Sequence, residues 1–221
     1  AQDGEKFVEV RRSGDSKIVS AAYHAAAYAD KDYAALDALI EVLTADPSGY
    51  LYKNLVETQK VSSLWAYSPT VRDAGLVYFH FDIPKDKDLE ATKNLVRTEL
   101  DKIATTVYTE QDLARAKAKL LKQIENTKNN TINKAIGYTE IVGAGGYKLA
   151  FLYRDNVEKL SLEDLNRVAQ KYFKSNNRTV GIFIPSKDEQ RVKPTEFSNE
   201  QIATLTKDYK GKALEKEAAP F

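Results

Sequence analysis

Hydrophobic residues recur along this chain with two different periods, and the periods change in blocks. Residues 75–83, GLVYFHFDI, set Leu76, Tyr78, His80 and Asp82 against Val77, Phe79, Phe81 and Ile83, the period of two that marks a strand with one buried face. Tyr33, Leu36, Leu39, Ile40 and Leu43 instead recur at helical spacing, with Asp30 or Asp32 available as the N-cap and a run to about Thr44. Pro47-Ser48-Gly49 breaks that helix, and a second short one carries Leu51 and Leu55. Strands are also predicted at FVEV (7–10) and IVSAAYHAAA (18–27), joined by a turn at Gly14-Asp15, and at SSLWAYS (62–68).

A block of four helices follows residue 83: 88–105, a run to about Asn126 opened by Thr109 and Asp112, 131–142, and a run to Phe173 opened by Ser161 and Asp164. Both openings read as capping boxes, in which a hydroxyl and a carboxylate exchange hydrogen bonds with the first backbone N–H groups. RTVGIFIP (178–185) closes the pattern as a strand ending on proline. Strand pairs with helices grouped between them predict an α+β domain: an antiparallel sheet containing 18–25, 62–68, 75–83 and 178–184, covered by helices mainly on one face. Leu36, Leu39, Leu55, Leu95, Leu113 and Leu165 are the expected core leucines. Residues 186–221 are charged and weakly periodic and read as a linker or tail, leaving 1–185 as the domain.

Composition narrows the function classes. With 33 basic and 32 acidic side chains interspersed, no basic stripe marks a nucleic-acid surface. No apolar run approaches the length of a membrane span. The chain has no cysteine, which removes thiol nucleophiles and CxxC sites, and no GxSxG or phosphate-loop motif. It also has no methionine, even at position 1, so the sequence is read as a piece of a longer polypeptide, for which the lack of a leader pattern in its opening residues carries no information.

Few residues offer chemistry. Catalytic zinc takes three protein ligands, and the two histidines, His24 and His80, belong to neither HExxH nor HxxEH, although they could meet across a sheet. Asp82 at a strand end and Glu140 in an apolar stretch are carboxylates without a visible partner, and acid/base work needs a matched pair. GAGGY (143–147) has two readings. Gly143, Gly145, Gly146 and Tyr147 can form a substrate-gripping loop, since glycine lets backbone approach a ligand closely, or they can be a helix C-cap and turn.

Five stretches in order resemble the non-catalytic domain of M16 (pitrilysin-type) zinc metallopeptidases, the one that follows the HxxEH domain: DYAALDALIEVLT, DPSGYLYKNLVETQKVSS, RDAGLVYFHFDIP, YTEQDLARAKAKLLKQIE and LSLEDLNRVAQKYFKSNNRTVGIFIP. The resemblance spans residues 7 to 185 and implies a LuxS/MPP-like metallohydrolase type of domain. It implies that this piece holds no catalytic or metal-binding residue and is inactive alone, that zinc sits in the catalytic domain of the same polypeptide, and that the piece helps form a chamber for peptide substrates. Positions where family members in the second half of the enzyme carry a substrate-holding Arg and Tyr correspond here to Val56 and Ser63. A zinc-free scaffold subunit of the same fold is the alternative. Bacterial relatives suggest a periplasmic location.

Overall fold

The computed structural model describes residues 2–128, 131–187 and 192–211. It divides into two compact units, Ala1–Lys187 and Asp188–Phe221. In the first unit five strands, β1 (Lys6–Ser13), β2 (Lys17–Ala25), β3 (Ser63–Tyr67), β4 (Gly75–Ile83) and β5 (Arg178–Ser186), form one sheet in the order β1-β5-β2-β4-β3. The antiparallel sheet expected from the sequence is present, since β2 pairs antiparallel with both β4 and β5, and β3 with β4. One pair departs from it: β1 runs parallel to β5, which makes the sheet mixed.

The short link between β1 and β2 suggested that the two would pair, but β5 lies between them. Burial explains the arrangement. Every residue of β1 is exposed, so it suits an edge, whereas β5 brings Val180 and Ile182 to the core and suits an interior position. The link passes over the Phe183 ring at Gly14, where a Cβ would lie 3.2 Å from ring carbons.

Six helices follow the predicted block order: α1 (Tyr33–Thr44), α2 (Leu89–Asp101), α3 (Glu110–Lys128), α4 (Thr131–Gly143), α5 (Lys148–Lys159) and α6 (Leu162–Tyr172). The sequence reading had no helix at α5. Its inward residues Leu149, Tyr153 and Val157 do recur every fourth position, but the glycines before them hide the start, and Tyr147 at the N-cap makes no side-chain cap. Both capping boxes form. Asp112 N–H donates to Thr109 Oγ1 at 3.2 Å, and Asp164 N–H to Ser161 Oγ at 3.3 Å.

The core lies between one sheet face and these helices. Val19, Ala21 and Tyr23 of β2 and Val77, Phe79 and Phe81 of β4 meet Ala34, Ala35, Leu36, Ala38 and Leu39 of α1, all buried. Alanines on that face let α1 approach the sheet closely. A π-helical turn at Tyr52–Val56 completes the cover by burying Leu55. Of the six expected core leucines, Leu36, Leu39, Leu55, Leu113 and Leu165 are buried, while Leu95 is only half-buried, because α2 turns Val96 and Leu100 inward instead.

The second unit contains α7 (Asn199–Thr206), opened by a capping box between Ser198 and Gln201, with every residue exposed. The sequence pattern of 186–221, taken as a linker or tail, named no helix there, and α7 lies within it. Residues 188–191 and 212–221 of that tail lie outside the described residues.

Candidate functional site

The sheet face away from the helices carries the side chains with polar chemistry. On β4, Tyr78, His80 and Asp82 point there, beside Ser63, Trp65 and Tyr67 on edge strand β3 and Ser20 on β2. Trp65 stacks on His80 at 4.8 Å between ring centroids and 14° between planes, and sits 5.4 Å from the Tyr78 ring. Tyr67 meets Tyr78 edge-on at 5.9 Å. Ser20 Oγ and Tyr78 Oη share a 2.8 Å hydrogen bond. The result is an aromatic shelf, with Trp65 and Tyr67 about half exposed.

The two histidines share this face but do not meet. His24 stands opposite Leu76 and His80 opposite Ser20, four ladder positions apart, or roughly 13 Å at the usual strand rise. No group of three His, Cys, Asp or Glu side chains among the described residues could hold a metal ion. Asp82 accepts a hydrogen bond from Ser63 Oγ at 2.6 Å and lies 3.3 Å from His80 Nε2. Serine, carboxylate and histidine are therefore assembled in the wrong order for a nucleophile. The serine proton faces the carboxylate, and the imidazole that would have to take it is on the far side. Glu140 is exposed on α4, and Val56 and Ser63 are separated, one on the π-helical turn and the other on β3.

The glycine loop lies between α4 and α5. The amides of Ala144, Gly145 and Gly146 all donate to α4 carbonyls, those of Glu140, Val142 and Ile141, at 2.9 to 3.2 Å. Gly145 and Gly146 take φ values of +145° and +140°, which L side chains rarely adopt. These amides are thus spent on closing the helix. The side chain of Tyr147 is left exposed, while Ala144 packs into a buried cluster with Tyr28 and Tyr33.

Two acids, Asp32 fully buried and Asp37 partly buried, have partners that the sequence did not show. Asp30 or Asp32 was the expected N-cap of α1; Asp32 holds that position, but its side chain makes no cap bond. It is fully buried and accepts hydrogen bonds from Lys171 Nζ at 2.7 Å, Tyr172 Oη at 2.9 Å and Arg167 Nη1. Burial alone would raise its pKa, but these donors from α6 outweigh that and hold the carboxyl at about 2. Asp37 lies on α1 and its carboxylate accepts a hydrogen bond from the Tyr153 hydroxyl of α5. Burial pushes this carboxyl up to about 6, the Tyr153 hydrogen bond opposes the rise, and the Glu41 charge adds to it. Tyr28, Tyr33 and Tyr153 pack ring to ring at 4.8 to 5.9 Å. An acid set within the α1 stripe, four residues after Tyr33, was the available signal for Asp37.

The first unit is thus a five-stranded mixed sheet with helices on one face, and the described residues include no group of three His, Cys, Asp or Glu side chains that could hold a metal ion. The Peptidase M16 inactive domain matches residues 1–120, and the chain belongs to that family. It is similar to the inactive peptidase domain of a candidate zinc protease from Bordetella parapertussis, with 30% identity and a TM-score of 0.73 over 82% of this chain and 97% of that one. It is 25% identical over 192 residues to the zinc protease PqqE of Helicobacter pylori, covering 83% of this chain but 42% of that protein. A protease structure from Helicobacter pylori shares the fold, with a TM-score of 0.75 at 23% identity. The chain thus spans less than half the length of the curated relative it matches.

Proposed function

We propose that this chain is the non-catalytic domain of a larger zinc-dependent metalloendopeptidase, in which it supports the catalytic domain and helps wall the chamber that holds peptide substrates. Zinc and the residues that activate water belong, on this reading, to the companion domain of the same polypeptide. The observation that carries the reading is one of extent. The chain matches nearly all of a domain described as inactive, and less than half of a protein described as a zinc protease. The aromatic shelf adds a physical argument, because the half-exposed rings of Trp65 and Tyr67 on the sheet face away from the helices suit contact with a second surface or with substrate. We assign Tyr147, with Gly143, Gly145 and Gly146 shaping its loop, to the chamber wall, and residues 186–221 to the connection with a following domain.

Substituting the shelf in the longer polypeptide tests this reading. Trp65→Ala with Tyr67→Ala should raise KM for a fluorogenic peptide, or lower the melting temperature of the assembled protease, with zinc content unchanged. Normal kinetics and normal assembly would remove the shelf from both roles. An intact HxxEH motif upstream of residue 1 separates the protease from the zinc-free scaffold.

A further inference from the structure

The tyrosine cluster forms one wall of a cavity of about 310 Å³ between α3, α4 and α5. On α4 a single stripe lines it: Lys134, Gly137, Tyr138 and Ile141, spaced i, i+3, i+4 and i+7. Phe151 of α5 also lines it, and Tyr28 and Tyr153 form a wall held by ring packing and by the hydrogen bond to Asp37. A glycine in mid-helix costs helix stability. Here Gly137 borders open space, since a Cβ at that position would meet nothing within 4 Å.

Volume and charge point to an occupant. Small-molecule sites begin at roughly 300 Å³ and are mostly apolar with a few placed polar groups. This cavity therefore has room for one large side chain and its adjoining backbone, with aromatic surface to receive it. Two cations line it, Lys134 and Arg154. Arg154 Nη2 is already bonded to Asp155 at 2.7 Å, and Lys134 has no ion-pair partner among the described residues.

We propose that this cavity is a side-chain subsite for peptides, which takes one large apolar residue with an acidic residue beside it against Lys134. The proposal rests on the reading of the chain as part of a peptide chamber and names the class of substrate residue held there.

The test is fluorescence anisotropy of the 221-residue chain with a dye-labelled peptide Ala-Glu-Phe-Ala-Ala. Saturable binding is expected, weakened about tenfold or more when the peptide Phe becomes Ala, a loss of about 1.4 kcal/mol. Gly137→Leu should weaken binding by a similar factor while the melting temperature stays the same or rises, because leucine fills the cavity and favours the helix. Ala150→Leu narrows the same cavity and provides a second variant. Lys134→Glu should weaken the Glu-Phe peptide and strengthen a Lys-Phe peptide. Equal binding of the Phe and Ala peptides, or unaltered binding by folded Gly137→Leu and Ala150→Leu, overturns the subsite. If the longer polypeptide cleaves peptides and Gly137→Leu changes nothing, the subsite is wrong and the protease reading stands. If the chain captures the peptide as described while the longer polypeptide shows no zinc-dependent cleavage, the subsite stands and the protease reading is wrong.

Discussion

Tyr153 of α5 donates its hydroxyl proton to the carboxylate of Asp37 on α1, joining two helices through an acid whose pKa burial has pushed up to about 6. A raised carboxyl pKa means the folded chain holds that proton more tightly than the unfolded one, whose value is near 4. The stabilising contribution of Asp37 is therefore full below pH 4, falls as pH rises from about 4 to about 6, and is flat above that. Asp37→Asn should make the protein on the order of 1 kcal/mol more stable at pH 8, with the advantage gone at pH 4. Urea melts at the two pH values check this, and equal destabilisation at both would contradict it.

Asp32 has the opposite sign. Its carboxyl is held at about 2, below the ordinary value, so its contribution is present above pH 4 and lost as pH falls toward 2. Arg167 and Lys171 keep part of their surface in water, which screens the pair. Asp32→Asn should cost about 2 kcal/mol at pH 7 and much less near pH 2. A loss independent of pH would mean that packing, and not the ion pairs, fixes α6 to the start of α1.

The leucines test the packing account. Leu36→Ala and Leu113→Ala remove side chains buried in the main core and should each cost about 2–5 kcal/mol. Leu95→Ala, at the margin of the core, should cost clearly less than either. Equal losses at all three would put Leu95 inside.

Much of this fold was legible because its signals are local. The alternation of residues 75–83, the stripe of α1 and the boxes at Thr109 and Ser161 each fix an element within a few residues. What the sequence hid depends on long-range partners. The place of β5 between β1 and β2 is decided by which strand can be buried on its inner face, not by the three-residue link. Asp32 resembled an N-cap because its partners, Arg167 and Lys171, lie more than 130 residues away. The α4–α5 cavity was equally hidden, because its walls come from three helices and α5 had no readable start.

The central claim is that this domain contributes structure and substrate contact to a protease whose zinc lies elsewhere in the polypeptide. Zinc titration by calorimetry, paired with cleavage of a fluorogenic peptide, tests it most directly on the isolated chain and on the longer polypeptide that contains it. The account predicts no stoichiometric zinc binding and no cleavage by the isolated chain. It predicts one zinc and chelator-sensitive cleavage in the longer polypeptide, lost when residues 1–185 are removed. Micromolar zinc binding with metal-dependent cleavage by the isolated chain, or full activity of the longer polypeptide without residues 1–185, would contradict it.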